Sequence, residues 1–126
     1  MLRLVVILAA VPLLVVGCAN TAANPVPRAG YAKIGQTVTV GGARVTPLTV
    51  VQDSRCPQDV QCVWPGVVTL SARVNRGSNS ETREFVLRRP QRVVGGVLEM
   101  VDAQPARVSD RTIRPGDYRF GFRFRT

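Results

Sequence analysis

The chain has 126 residues, a formal net charge of +9 and a pI near 11.2, which suits one modest domain. It contains no histidine. That excludes Ser-His-Asp and Cys-His catalytic arrangements and leaves too few ligands for a zinc site.

Met1, Leu2 and Arg3 precede an apolar run from Leu4 to Val16, after which Gly17 and Cys18 open a polar stretch. One positive charge, a short apolar segment and a small residue form the layout of an export signal. The run is shorter than the roughly 20 apolar residues a spanning helix needs, and Pro12 interrupts it. Val15-Val16-Gly17-Cys18 resembles the lipobox of bacterial lipoproteins, whose leader is cut before the cysteine. The resemblance implies residues 1–17 as signal peptide, a diacylglyceryl thioether on Cys18 and a further acyl chain such as palmitate on its amino group. Two or more chains give stable anchoring where one gives marginal binding. Ala19, in place of Asp, resembles the outer-membrane sorting class of Gram-negative cells; in another envelope the expected location is the cell surface. Residues 18–30 are small, polar and proline-bearing, and are expected to form a tether, with a β domain over 31–126.

Gln36 to Val40 and Ala43 to Val51 read as strands around a Gly41-Gly42 hairpin turn. Pro47 marks an edge, a bulge or a break in the second of them. The next segment is Asp53-Ser54-Arg55-Cys56-Pro57, then Cys62-Val63-Trp64-Pro65-Gly66. With Cys18 assigned to lipid, Cys56 and Cys62 remain as an even pair in an oxidising compartment, which favours a disulfide closing a small loop. A redox pair would look more like Cys-x-x-Cys. Asp53 or Asp59 could serve a hard cation, although pairing with Arg55 is the commoner use of such carboxylates. Arg55 has Asp53, Asp59 or loop carbonyls as candidate partners, and Trp64 is expected to pack across the disulfide or onto the sheet edge, or else to stand exposed as a contact residue. The segment resembles a motif of small bacterial lipoproteins: Asp-Ser-Arg-Cys-Pro, a short loop, then Cys, an apolar-Trp pair, a small residue and Gly. Pro65 stands where that pattern favours Ala. The resemblance implies a secreted β domain with Cys56 paired to Cys62, and it carries no activity.

Val67 to Val74 alternates, with Val68, Leu70, Ala72 and Val74 on one side. Arg76 to Ser80 reads as a turn, and Thr82 to Arg88 as a strand with Phe85 and Leu87 inward. Arg92 to Val101 is β-prone but broken at Gly95-Gly96. After the Arg114-Pro115-Gly116 turn, Tyr118, Phe120, Phe122 and Phe124 fall at strict period two against Arg119, Arg123 and Arg125. One face of that strand is core and the other wet and basic. The predicted fold class is an all-β antiparallel sandwich of immunoglobulin-domain size, with a small barrel as the alternative.

The expected function is a non-catalytic, lipid-anchored envelope protein that binds a protein partner, as an assembly factor or inhibitor, through Arg55 and Trp64. Aromatic and arginine residues are favoured interface anchors. The alternatives are binding of anionic lipid or cell-wall polymer through Arg119, Arg123 and Arg125, and a carboxylate-based enzyme using Asp53 with Asp59 or Glu99 with Asp102. No cofactor is expected. Nucleic acid is not an expected partner of an exported chain whose arginines are scattered.

Overall fold

The computed structural model describes Gly17 and residues 28–126. Eight strands follow one another: β1 (Gly30–Ala32), β2 (Val38–Val40), β3 (Ala43–Asp53), β4 (Val68–Arg76), β5 (Asn79–Val86), β6 (Gln91–Val93), β7 (Gly96–Gln104) and β8 (Arg119–Arg125), with one 3-10 turn at Pro115–Asp117. They form two antiparallel four-stranded sheets, in the orders β1-β8-β7-β6 and β2-β3-β4-β5. The sheets face each other and do not close into a barrel.

Alternation drives the packing. Val68, Leu70, Ala72 and Val74 of β4 share one buried core with Phe120, Phe122 and Phe124 of β8, joined by Phe85 beside Leu70 on β5 and by Leu98 and Met100 beside Phe124 and Phe122 on β7. The strict period of the last strand is therefore the core of one sheet. Leu87, expected inward on a strand, follows the end of β5 and is only partly buried against the same core. Within the span expected as a turn, 76–80, the chain makes a tight hairpin: β4 runs to Arg76 and β5 resumes at Asn79, with Gly77 in the left-handed region.

Bulges set what each sheet presents. Pro47 pairs with Ala72, and the register slips before Thr49 and again between Val50 and Gln52. Pro47 accepts a bond from the Gly35 N–H at 2.8 Å, so its donorless nitrogen also faces the strand edge, where it disrupts no ladder. A further slip between Met100 and Asp102 in β7 keeps Leu98, Met100 and Ala103 inward while turning Glu99, Asp102 and Gln104 outward.

The two long sides of the sandwich are closed differently. On one side the chain passes directly from β1 in the first sheet to β2 in the second. On the other, side chains of the edge strand β5 bond backbone of the β6–β7 hairpin. Glu81 accepts the Val94 N–H at 2.8 Å, and Arg83 donates to the Arg92 carbonyl at 3.1 Å. Gln91 returns a bond to the Glu84 carbonyl at 2.8 Å. Charged side chains on an edge also discourage pairing with foreign strands.

β1 starts at Gly30, inside the span expected to be tether. Its partner is the middle of β8, with Gly30 opposite Phe122 and Ala32 opposite Phe120.

Truncating the central Phe122 to Ala is expected to cost about 3–5 kcal/mol of unfolding free energy. Denaturant titration measures it; a loss under about 1 kcal/mol would show that the ring does not pack as described.

Candidate functional site: the disulfide loop and its polar anchor

The loop between β3 and β4 begins as a continuation of their ladder. The Ser54 N–H donates to the Val67 carbonyl at 2.8 Å, the Cys56 N–H donates to the Pro65 carbonyl at 2.9 Å, and the Ser54 Oγ accepts the Val67 N–H at 3.1 Å. Gly66 lies in this narrow neck at φ +68°, and a Cβ there would overlap the Ser54 carbonyl. Only glycine combines that backbone conformation with so close an approach. Cys56 and Cys62 form the disulfide across the top of the neck, with their Cα atoms 5.9 Å apart.

Below the neck a polar cluster joins the two sheets. Asp53 ends β3. Arg55 grips its carboxylate with a fork, Nε to Oδ1 and Nη2 to Oδ2, both at 2.8 Å. The Tyr118 hydroxyl, just before β8, donates to Asp53 Oδ2 at 2.8 Å. Arg55 also donates to the Ala103 carbonyl at 2.7 Å and the Pro105 carbonyl at 3.1 Å, at the end of β7. Arg107 completes the cluster by donating to the Arg55 carbonyl at 2.7 Å. The Asp53 and Arg55 side chains are only 8% and 14% exposed.

The electrostatics follow from this geometry. Burial pushes the Asp53 carboxyl upward, but the bonds from Arg55 and Tyr118 and the guanidinium charge outweigh it and hold the group below the usual carboxylate range. Burial, reinforced by the bond to the Asp53 carboxylate, pushes the Tyr118 phenol up to about 12.

A second clamp fastens the loop to the segment after β7. Asp59 accepts the Ser109 N–H at 2.9 Å and bonds the Ser109 hydroxyl, and the Gln58 N–H donates to the Arg107 carbonyl at 2.9 Å. The Ser109 bonds hold the Asp59 carboxyl below its ordinary range.

Around this held base the tip is apolar and bare. Trp64 is 79% exposed, Val63 93% and Val60 45%. Of the two outcomes expected for Trp64, packing across the disulfide or sheet edge and standing exposed, the structure shows the second. Arg55, expected as a contact residue, is instead committed to the inner cluster. Cys18 and residues 1–16 lie outside the described residues.

The basic row of β8 sits on a separate surface, the outer face of the first sheet, and is interleaved with acid. Arg123 stands opposite Glu99 and Arg119 opposite Gln104, while Asp102 faces Gly121. Arg119 lies over the Tyr31 ring at 5.6 Å, and the Tyr31 hydroxyl donates to Asp102 at 3.0 Å across Gly121. Glu99 and Asp102 thus belong to this mixed surface, and Asp53 and Asp59 are held by separate partners. Among the described residues no group of three or more His, Cys, Asp or Glu side chains converges as a metal site.

Ser109, Tyr118, Ala103 and Arg107 were not foreseen as parts of the site. Their contacts with the loop span about fifty residues or more of sequence, and only Tyr118, the polar member of an otherwise Phe row, carried a signal. Comparison of the chain with known protein families, with curated proteins and with solved structures finds no match.

Removing Asp53 leaves a buried guanidinium uncompensated, so Asp53→Ala is expected to cost about 3–5 kcal/mol, while replacing Asp53 and Arg55 together by apolar residues costs less. The lowered Asp53 pKa makes its contribution complete above about pH 4 and lost as pH falls through the folded-state value. Tyr118 has the opposite sign: its contribution is complete below about pH 10 and lost as pH rises toward 12. Urea titrations against pH check both windows. Asp53→Asn should flatten part of the acid limb and Tyr118→Phe the alkaline one; unchanged limbs would remove these residues from the linkage.

Proposed function

We propose that the chain is a lipid-anchored protein of the bacterial envelope whose Cys56–Cys62 loop is a non-catalytic docking element for another protein. The observation that carries this reading is a rigid, exposed apolar tip. An indole and two valines in water add nothing to the core, yet disulfide, ladder and Asp59 clamp hold them in one arrangement. Exposed apolar residues on an ordered support are what protein interfaces use, and a held loop loses little conformational freedom on binding.

The position of the tip supports the same reading. Gly30 packs against Val38 and Val40, beside the hairpin that opens β3. The disulfide loop begins at Asp53, at the other end of that 11-residue strand, where the two bulges leave a span of roughly 25 Å at the rise of an extended chain. The described chain enters the body at Gly30, toward one end of β3, and the loop lies at the other end, which in this reading leaves the loop free to meet a partner. The mixed charge around Arg119, Arg123 and Arg125 makes that face a poorer match to a polyanion than an unbroken basic stripe.

Two measurements test the reading. Mass spectrometry of the protein from its native cells is expected to find residues 1–17 absent and Cys18 acylated; a retained leader with an unmodified Cys18 thiol would remove the anchor. A photo-crosslinker at Val63 in intact cells is expected to trap one dominant protein adduct. Trp64→Ala should reduce it about thirtyfold or more, the scale of an interface hot spot above about 2 kcal/mol, with the melting temperature nearly unchanged. Diffuse labelling indifferent to Trp64→Ala would discard the docking element.

A further inference from the structure

Beside the neck of the disulfide loop lies a cleft of about 290 Å³, lined by Cys56, Pro65, Gly66 and Val67 on one side and Leu87 and Arg88 on the other, with Arg55 beneath. No carboxylate lines it. Arg55 is neutralised by Asp53, so the unbalanced charge on the wall is that of Arg88. The Arg88 side chain makes no hydrogen bond or ion pair among the described residues, and the adjoining Arg89 makes none either.

The backbone at Arg88 is the second observation. Arg88 has φ +62° and is the only non-glycine with positive φ among the described residues. An L side chain is strained there, and arginine has none of the short-range hydrogen bonding that lets Asn or Asp tolerate it. The turn is nevertheless pinned from both sheets. The Arg88 N–H donates to the Met100 carbonyl at 2.8 Å, and the Leu87 N–H donates to the Val68 carbonyl at 3.1 Å. The fold thus fixes an arginine where its own backbone would be better served by glycine or asparagine. Such an outlier points from strain to use.

We infer that this cleft is the carboxylate-receiving part of the docking site: the partner is an acidic peptide segment that places a Glu or Asp side chain on Arg88 while an adjoining apolar residue covers Val63 and Trp64. The inference rests on the reading of the loop as a docking element and adds the chemistry of what docks. Charge complementarity selects the acid, and the exposed indole beside Pro65 selects its apolar neighbour. A guanidinium beside a disulfide and a proline is poorly screened once a ligand excludes water, which strengthens its bond to a carboxylate.

Selection of random 12-residue displayed peptides on the detergent-solubilised full-length protein tests this. Trp64 is the only tryptophan, so its emission reports binding directly. The expected result is enrichment of Glu or Asp next to an aromatic or aliphatic residue, with a blue shift of Trp64 emission on binding. Arg88→Asn, which suits the positive φ, should keep or raise thermal stability while weakening those peptides about tenfold, the loss of one charge-assisted contact. Arg88→Glu should redirect selection toward Lys- and Arg-bearing peptides. Peptides that depend on Trp64 but lack acid, or that bind Arg88→Asn equally, would overturn the inference and leave the docking loop standing. Peptides indifferent to both residues, or no enrichment at all, would remove both. A Trp64 blue shift with anionic phosphatidylglycerol vesicles, lost in Arg88→Asn and absent with every selected peptide, would assign the cleft to lipid instead and overturn it. A fall in stability of Arg88→Asn that matches its loss of binding would assign Arg88 to folding alone.

Discussion

At the end of the sandwich that carries the disulfide loop, a single ion pair holds the ends of β3 and β7 and the start of β8 in register. Arg55 clasps the Asp53 carboxylate at the end of β3 and the Ala103 and Pro105 carbonyls where β7 ends, and the same carboxylate receives Tyr118 where β8 begins. A buried ion pair is not in itself a strong source of stability, since desolvation offsets much of the attraction. Its value here is directional. Five donors in a planar fork can satisfy a carboxylate edge and two carbonyls at fixed angles, which a lysine ammonium on a flexible stem would not do. The neck of the loop inherits its orientation from that geometry, because Ser54 and Cys56 flank Arg55 and carry the ladder bonds to Val67 and Pro65.

The remaining polar contacts repeat this division of labour. Apolar alternation supplies the cohesion between sheets, but it does not decide how the ends and sides meet. On the β5–β6 side, Glu81, Arg83 and Gln91 fix the edges through backbone groups. At the loop end, Asp59 and Ser109 do so. No buried side-chain polar atom among the described residues is left without a partner. That completeness is what lets charged groups sit at the seams without loosening them.

The strands were legible wherever burial imposes period two. Tyr118 to Phe124 and Val68 to Val74 read directly, because each inward side chain meets the opposite sheet. The Gly41-Gly42 turn read from backbone chemistry, and so did an irregularity at Pro47, whose form as a bulge rather than an edge or a break only the pairing with β4 decides. β1 did not, since Gly30-Tyr31-Ala32 is too short for a period and offers one small inward residue. The polar anchor was only half legible. The sequence placed Asp53, Asp59 and loop carbonyls as candidates for Arg55, and proximity alone could not rank them. The choice is made by Ala103, Pro105 and Tyr118, which only the fold brings near. For Trp64 the sequence left two outcomes open, packing across the disulfide or sheet edge and standing exposed; the fold takes the second, with the indole 79% exposed.

That exposure is informative because of what surrounds it. A lone exposed aromatic on a mobile loop would be unremarkable, since much of any protein surface is apolar. Here three exposed apolar residues lie on one short loop that is closed by a disulfide, laddered at its base and clamped by Asp59 to a distant segment. Each of those restraints removes freedom that a free loop would otherwise lose only on binding. Folding does not require them at the tip, because the core is complete without Val60, Val63 or Trp64. Restraint without burial is therefore an arrangement whose benefit appears only when something else covers the tip, and the arginine fixed beside it sets the sign of charge that the covering surface brings.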